Sequence, residues 1–370
     1  MKILYCITRS KWGGAQNHLY ELIRAQALKG SDVILVVGDE GDLTKKIHEN
    51  KIPCRIILMS SLVREISISK DLRSIRKFRK LVKKENPAIV HLHSSKAGAV
   101  GRVACINLNV KVIFTAHGWS FTDGVSKKKA RVFVGIERFL SGFTDKVICV
   151  SKFDYDIANR KNIFKNTTGI AIYNGVPDEY PNLSLERDRN EPINFVMIAR
   201  FSDVQKRQDL LIDAAKLLSE KGITNYRITF IGDGERLLEA KNKVHAYQLE
   251  DKIDFLGFKE TPMDYLDHNS VLTLISDYEG LPISIIEGMC MGRPILATDV
   301  GGVNELITHG ENGYLTSVKP EDIKLFMHKI SQLTTDEFQQ LSVNSRKLYE
   351  KSFTIDDFIS STFRCYTDVL

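Results

Sequence analysis

Proline is scarce in this chain of 370 residues, with nine in all. Three of the nine fall in one stretch, "PDEYPNLSLERDRNEP" (177–192). Scarcity elsewhere leaves the backbone free to run in regular elements, and the cluster reads as an interdomain linker. Cysteine is sparse too. Cys6, Cys54, Cys105, Cys149, Cys290 and Cys365 are scattered, and no two form a C-x-x-C pair. That excludes a zinc ribbon and a disulfide framework and suits a reducing cytoplasm. No apolar run approaches the ~18 residues of a membrane span, and the opening "MKILYCITRS" is too short an apolar run for a signal peptide. Short repeats and low-complexity tracts are lacking, which excludes solenoids. The G-x-G-x-x-G dinucleotide fingerprint is absent.

What is present is a soluble, globular composition, 43% hydrophobic and 26% charged, on a chain long enough for two domains. Apolar strands alternate with helical patterns. The first series holds "KILYCITR", "DVILVVG", "AIVHLH", "KVIFTAH" and "KVICVS". The second holds "INFVMIAR", "YRITFIG", "IDFLG", "VLTLIS" and "PILATD". Such alternation gives parallel sheets covered on both faces. We expect an α/β protein with two doubly wound, Rossmann-like domains facing across a cleft: residues 1–176, a linker over 177–192, and residues 193–352. Ligands in such sheets sit beyond the carboxyl ends of strands.

Charge is unevenly spread. Residues 1–175 hold 31 Lys and Arg against 14 Asp and Glu, whereas 176–370 hold 21 against 32. A basic first half is suited to an anionic partner, solvated lysines being the plainer account.

Candidate site residues stand where strands end. In "SDYEGLPISIIEG" (276–288) Glu279 precedes a helix start at Pro282, and Glu287 lies among Ile283, Ile285, Ile286 and Met289. A buried carboxylate needs a partner. A ligand with hydroxyls for the glutamates and phosphates for the helix N-terminus satisfies both. The alternative is a cap at Glu279 and an internal ion pair at Glu287. Gly280 lets backbone approach a ligand closely. Arg200 ends a strand, and Lys206 with Arg207 opens the next helix. Cations there oppose the macrodipole by roughly 0.3–1 kcal/mol each, a cost that phosphate reverses. Gly13 and Gly14 occupy the first strand–helix turn. His117 ends the strand of "FTAHGW", where a structural role is the alternative. In "FDYD", Asp154 and Asp156 follow Ser151, a cap residue, so helix capping accounts for them. No other acidic cluster offers Mg²⁺ or Mn²⁺ a suitable spacing.

Together these segments resemble the family 4 retaining glycosyltransferases of GT-B fold over nearly the full chain. The resemblance rests on Glu279 and Glu287 at E-x7-E spacing, Arg200 and Lys206 at R-x5-K spacing, "FTAHGW", "YNGVP" (173–177) and "GGAQ". It is nearest to bacterial enzymes that build O-antigen, capsule and exopolysaccharide units. It implies that Arg200 and Lys206 hold the donor diphosphate, and that Glu287 binds ribose hydroxyls. Glu279 then lies beside the donor sugar, and the Gly280–Leu281 backbone contacts sugar or phosphate. The base lies near Gly257 and Phe258, Gly14 faces the donor phosphates, and His117 contacts the donor sugar. The catalytic set is Glu279, His117, Arg200 and Lys206. The implied reaction retains configuration, by front-face attack or by double displacement, without metal or other cofactor. Its implied partners are a UDP-type sugar donor and a lipid-linked saccharide acceptor, with no nucleic acid. A sugar-nucleotide 2-epimerase or a non-catalytic nucleotide-sugar-binding regulator would share the architecture. The glutamine of "GGAQ" departs from the glutamate common in the wider family, which makes the acceptor side less transferable. The last helix, in 353–370, is implied to pack back on the first domain.

"SKDLRSIRKFRKLVKKENP" (69–87) reads as a helix capped by Ser69 and ended by Pro87. Leu72, Ile75, Phe78, Leu81 and Val82 form its core stripe. Arg73, Arg76, Lys77 and Lys80 belong to its basic face, which suits anionic lipid. The expected location is the cytoplasm, peripheral on the inner face of the cell membrane.

Overall fold

The computed structural model describes residues 1–122, 124–180 and 187–370. It forms two compact units, Met1–Gly175 with Asp356–Leu370, and Val176–Ile355. Of the segment read as a linker, residues 181–186 lie outside the described residues.

Unit 1 runs β1 (Lys2–Ile7), α1 (Gly14–Leu28), β2 (Asp32–Val37), α2 (Asp42–Glu49), β3 (Cys54–Leu58), α3 (Ile68–Glu85), β4 (Ile89–His93), α4 (Ser95–Cys105), β5 (Lys111–Ala116), α5 (Lys127–Ser141), β6 (Lys146–Cys149), α6 (Lys152–Arg160) and β7 (Thr168–Ala171). The strands make one parallel sheet in the order β3-β2-β1-β4-β5-β6-β7. The order reverses between β1 and β4, where ligands collect in such sheets. Leu4, Ile34, Val90, Val112 and Val147 face helices α3 and α4 through Phe78, Val82, Val100 and Ala104.

Unit 2 runs β8 (Ile193–Ile198), α7 (Gln208–Ser219), β9 (Tyr226–Ile231), α8 (Leu237–Ala246), β10 (Ile253–Gly257), β11 (Ser270–Leu274), α9 (Ile283–Cys290), β12 (Ile295–Thr298), β13 (Gly313–Thr316), α10 (Pro320–Ser331) and α11 (Thr335–Ser352). Its parallel sheet has the order β10-β9-β8-β11-β12-β13, and reverses between β8 and β11.

The last helix, α12 (Ile355–Val369), has residues 356–369 in unit 1. Its anchor is polar. His91 is wholly buried in β4, so both ring nitrogens need partners. Tyr366 supplies one at 2.7 Å and Thr115 the other at 2.7 Å. Tyr366 also meets the Tyr5 hydroxyl at 3.1 Å.

The helix at 69–87 differs from its expected form in two respects. It starts at Ile68 with Ser67 as the cap residue, and Ser69 lies inside it. Leu72 was expected in the core stripe and is exposed, while Phe78 and Val82 are buried. The helix starts two residues early, and its N-terminal end overhangs the core.

Candidate functional site

In unit 2 the loops after β8, β9, β10, β11 and β12 meet at the carboxyl end of the sheet. Segment 205–207 lies alongside 275–277. Lys206 bridges Ser276. The Asp277 N–H donates to the Gln205 carbonyl, and the Arg207 N–H to the Ile275 carbonyl, each at 2.9 Å. This pairing brings the Lys206 ammonium within 2.5 Å of a Glu279 carboxylate oxygen, in a mostly buried setting. Arg200 lies two residues past β8 and donates to Asp203 at 2.9 Å. Arg207 grips Asp209 through two nitrogens and reaches Asp277 at 3.0 Å. Those acids raise its pKa, the Asp209 hydrogen bonds first. The expected charge conflict at the start of α7 is therefore relieved by Asp209, Asp277 and Glu279. Helix α7 starts at Gln208, with Arg207 as its cap residue.

Helix α9 is capped by Pro282 and starts at Ile283, one residue later than expected. Of its eight residues only Ser284 and Glu287 are half-buried; the rest are core. Residues three apart share a helix face, so Glu287 stands on the one side of α9 that escapes the core. The Leu281 side chain is buried.

Gly301 (φ +58°) faces Glu279 so closely that a β-carbon there would lie 1.8 Å from the Glu279 carbonyl oxygen. The neighbouring Gly302 N–H donates to the Gly280 carbonyl at 3.0 Å. The loop after β12 thus backs the Glu279–Gly280 segment. Gly234 abuts Phe201 and Ser202 in the same manner. The Gly232 N–H donates to the Gly257 carbonyl at 2.9 Å, and Phe258 projects exposed beyond it. Arg200, Lys206, Gly257, Phe258, Glu279, Gly280, Leu281 and Glu287 thus belong to one end of one sheet.

In unit 1, Gly14 is the first residue of α1. The loop before it is fixed by two acids: Asp39 accepts from the Ser10 N–H at 2.7 Å, and Asp42 from the Trp12 N–H at 2.9 Å. His117 follows β5. Gly118 (φ +118°) then turns the chain so that the buried Trp119 donates to the Asp154 carbonyl at 2.9 Å. Asp154 is buried, and its carboxylate accepts from the Ser151 hydroxyl at 2.7 Å while its N–H donates back. His117 meets His93 at 3.1 Å. His18 of α1 packs edge-on against His117, ring centroids 4.6 Å apart, and bonds Asn174 at 2.8 Å. Burial pulls the pKa of His18 down to about 4 and those of His93 and His117 well below the usual imidazole range.

On α3, Arg73, Arg76, Lys77 and Lys80 are exposed and line a surface groove of about 320 Å³ with Ser69 and Leu72. Two acids of that helix turn away from it. Asp71 pairs with Lys96 at 2.7 Å. The buried Glu85 pairs with Arg55 and Lys2.

Sequence reasoning missed His18, His93, Asn174, Asp39, Asp42 and Gly301. His93 ends an apolar strand as His117 follows one, a signal that could have been used. Gly301 lies in the Gly-Gly pair after "PILATD", a visible turn mark.

Residues 12–180 match the family described as Glycosyltransferase Family 4, and residues 185–351 the family described as Glycosyl transferases group 1. A UDP-Gal:alpha-D-GlcNAc-diphosphoundecaprenol alpha-1,3-galactosyltransferase of Escherichia coli is 28% identical over 353 residues, 92% of this chain and 89% of that protein. The O-antigen biosynthesis glycosyltransferase WbnH of Escherichia coli is 29% identical over 331 residues, 88% of this chain and 89% of that protein. Among solved structures, Anabaena HepE in complex with UDP and glucose superposes with a TM-score of 0.80 at 18% identity, over 99% of each chain. The E-x7-E and R-x5-K pairs, gathered at the reversal point of one sheet, and the two family matches that together span most of the sequence lead to one assignment: the chain belongs to family 4 of the glycosyltransferases, on the GT-B fold.

Proposed function

We propose that the chain moves a hexosyl or N-acetylhexosaminyl group from a UDP-sugar to a lipid-linked saccharide. The transfer retains anomeric configuration and needs no metal ion. The observation that carries this reading is the Lys206–Glu279 pair at the reversal point of unit 2, with Arg200 on the same loop. Arg200 and Lys206 stabilise charge on the departing diphosphate, in place of a divalent cation. Glu279 and the Gly280–Leu281 backbone attend the donor sugar, Glu287 the ribose, and Gly257 with Phe258 the base. In unit 1, Gly14 attends phosphate and His117 the sugar. Support for the donor comes from HepE, solved with UDP and glucose. Support for the acceptor comes from the Escherichia coli enzyme named for a diphosphoundecaprenol-linked sugar.

A lipid-linked acceptor makes membrane contact useful, and we assign it to the α3 face of Arg73, Arg76, Lys77 and Lys80. Helix α5 adds an outward apolar stripe, with Val132, Ile136 and Phe139 exposed at helical spacing beside Lys127, Lys128, Lys129 and Arg131. The reading is peripheral association with the cytoplasmic face of the membrane.

The test is product analysis with a panel of UDP-sugars, with and without a diphosphate-linked lipid saccharide. A new glycosidic bond of donor configuration, formed only with acceptor, supports the reading. A modified nucleotide sugar released without acceptor would identify an epimerase. Binding without turnover on every donor and acceptor would identify a regulator.

A further inference from the structure

Unit 1 holds His18, His91, His93 and His117 close together, and they are not equally satisfied. His91 has a partner on each ring nitrogen. His18 uses Nδ1 toward the side-chain amide oxygen, Oδ1, of Asn174. An oxygen there accepts, so Nδ1 carries the proton and Nε2 carries the lone pair. That Nε2 is buried and meets no hydrogen-bond partner among the described residues. His93 shares one hydrogen bond with His117, and its own Nε2 is likewise buried and unpartnered among the described residues. A folded protein seldom leaves two such nitrogens on neighbouring rings, here with centroids 5.4 Å apart.

Their spacing is that of a ligand set. One ring nitrogen from each of His18, His93 and His117 lies within 4.8 Å of the other two. The ring centroids stand 4.6, 5.4 and 5.4 Å apart. Three imidazoles on a tetrahedral zinc, with Zn–N of about 2.0–2.1 Å, have centroids about 5 Å apart. The rings sit on rigid supports: His93 ends β4, His117 follows the adjacent β5, and His18 lies in the second turn of α1. Asn174 orients the His18 ring as an outer partner orients a metal ligand. Among the described residues no carboxylate joins the group, which disfavours Mg²⁺ and Ca²⁺ and suits a borderline transition metal. Burial keeps the rings neutral at pH 7.

We propose that His18, His93 and His117 form a binding site for one divalent transition-metal ion of the zinc class, with its fourth position left to water. Each neutral ring donates its lone pair and keeps its single proton, so no proton is released. The hydrogen bond between His93 and His117 is given up, because each ring has one lone pair only. The half-buried His117 is the member through which the ion enters. The diphosphate needs no part in this binding. An ion on His117 would exclude the donor sugar from it and inhibit transfer; that consequence alone rests on the transferase reading.

The test uses the full chain, stripped with chelator, without nucleotide sugar. Equilibrium dialysis against Zn²⁺ should give one ion per chain. Co²⁺ in its place should give the intense visible absorption of a tetrahedral centre. His18→Ala and His93→Ala should each weaken binding at least ~10-fold, as loss of one ligand of three demands, and His245→Ala, on the surface, should not. X-ray absorption on the zinc-loaded wild type serves where a variant fails to fold, and should show imidazole nitrogens at about 2.0–2.1 Å. No stoichiometric binding, unchanged binding in both folded variants, or a shell without imidazole would each overturn the site. Because binding is read without donor or acceptor, its failure leaves the transferase reading untouched.

Discussion

Lys206 and Glu279 form an ion pair that joins the loop after β8 to the loop after β11. Seventy-three positions separate them in sequence, and the short ladder between 205–207 and 275–277 brings them together. Each member has the other as a partner before any donor binds. In the proposed function a diphosphate competes with Glu279 for Lys206, with Glu279 at the edge of the donor site. Glu279→Gln and Glu287→Gln should each lower kcat/KM at least ~10-fold, or ~1.4 kcal/mol. Glu287→Gln should act chiefly on donor affinity, measured by titration with UDP. Near-normal kinetics in both variants would remove the two glutamates from the site.

The loop after β12 supports Glu279 from behind, and Gly301 is the closest point of approach. Alanine there must hold a left-handed backbone, at roughly 1–2 kcal/mol, and must also push its β-carbon away from the Glu279 carbonyl. Gly310→Ala provides the comparison. Gly310 also has a positive φ, but a β-carbon there meets nothing within 4 Å. Gly301→Ala should lose more stability than Gly310→Ala in a thermal melt, by the cost of that displacement, and it alone should lose at least ~10-fold in kcat/KM. Equal activity would show that the Glu279 loop does not depend on this support.

Tyr366 links α12 to β1 and β4 through hydroxyl contacts with Tyr5 and His91. Tyr366→Phe keeps the ring and removes both contacts, leaving a buried His91 nitrogen without its partner. The cost should be about 1–3 kcal/mol, and Tm should fall by roughly 2–4 °C for each kcal/mol in a domain of this size. Calorimetry on both proteins checks it; an unchanged Tm would mean that water or a rotated ring replaces the bond.

The central strands were legible because they are apolar on both faces and bounded by turn residues. Strands β3, β7 and β13 were not; all three are sheet edges, but the fourth edge, β10, was legible as "IDFLG", so edge position alone does not account for it. β3 and β7 are only partly buried, and β7 and β13 have four residues each. The glutamates and the Arg200–Lys206 pair were legible because each lies within one short segment. The histidines were legible singly at best. His18, His93 and His117 come from three separate elements, and only the strand order β1-β4-β5 makes them neighbours. Leu72 misled for a related reason: helical periodicity marks a face, but it does not tell where along the helix the core ends.

The proposed function gives Arg200 and Lys206 the charge-neutralising role that a divalent ion has elsewhere, and on that proposal transfer should persist in full in EDTA. Arg200→Ala should lose at least ~10-fold in kcat/KM under the same conditions. Zn²⁺ added to the chelator-stripped protein should lower the rate through His117. Strict dependence on Mn²⁺ or Mg²⁺ would transfer the charge-neutralising role from these side chains to an ion.

The α3 and α5 faces lead to the last expectation, and they contribute different forces. On α3 the acids Asp71 and Glu85 are held by Lys96, Arg55 and Lys2, so Arg73, Arg76, Lys77 and Lys80 present unopposed positive charge. Attraction of such residues to anionic lipid is worth ~1 kcal/mol each near the surface, and it is screened beyond ~8 Å at physiological ionic strength. On α5, Phe139 is 62% and Val132 60% exposed, which is costly in water and favourable at the acyl boundary. Helix α4 packs against both helices, so the two faces belong to one side of the unit 1 sheet. Vesicles containing phosphatidylglycerol should sediment the protein, neutral vesicles should do so weakly, and high salt should release most of it. Reversing the four α3 charges to glutamate should lower the partition coefficient at least ~100-fold. Ile136→Ser with Phe139→Ser should reduce the fraction that resists salt. Both variants should bind UDP as the wild type does, since none of the changed residues is among those assigned to the donor. Equal sedimentation of wild type and charge-reversed protein with anionic vesicles would exclude α3 as the contact, and an unchanged salt-resistant fraction would exclude α5.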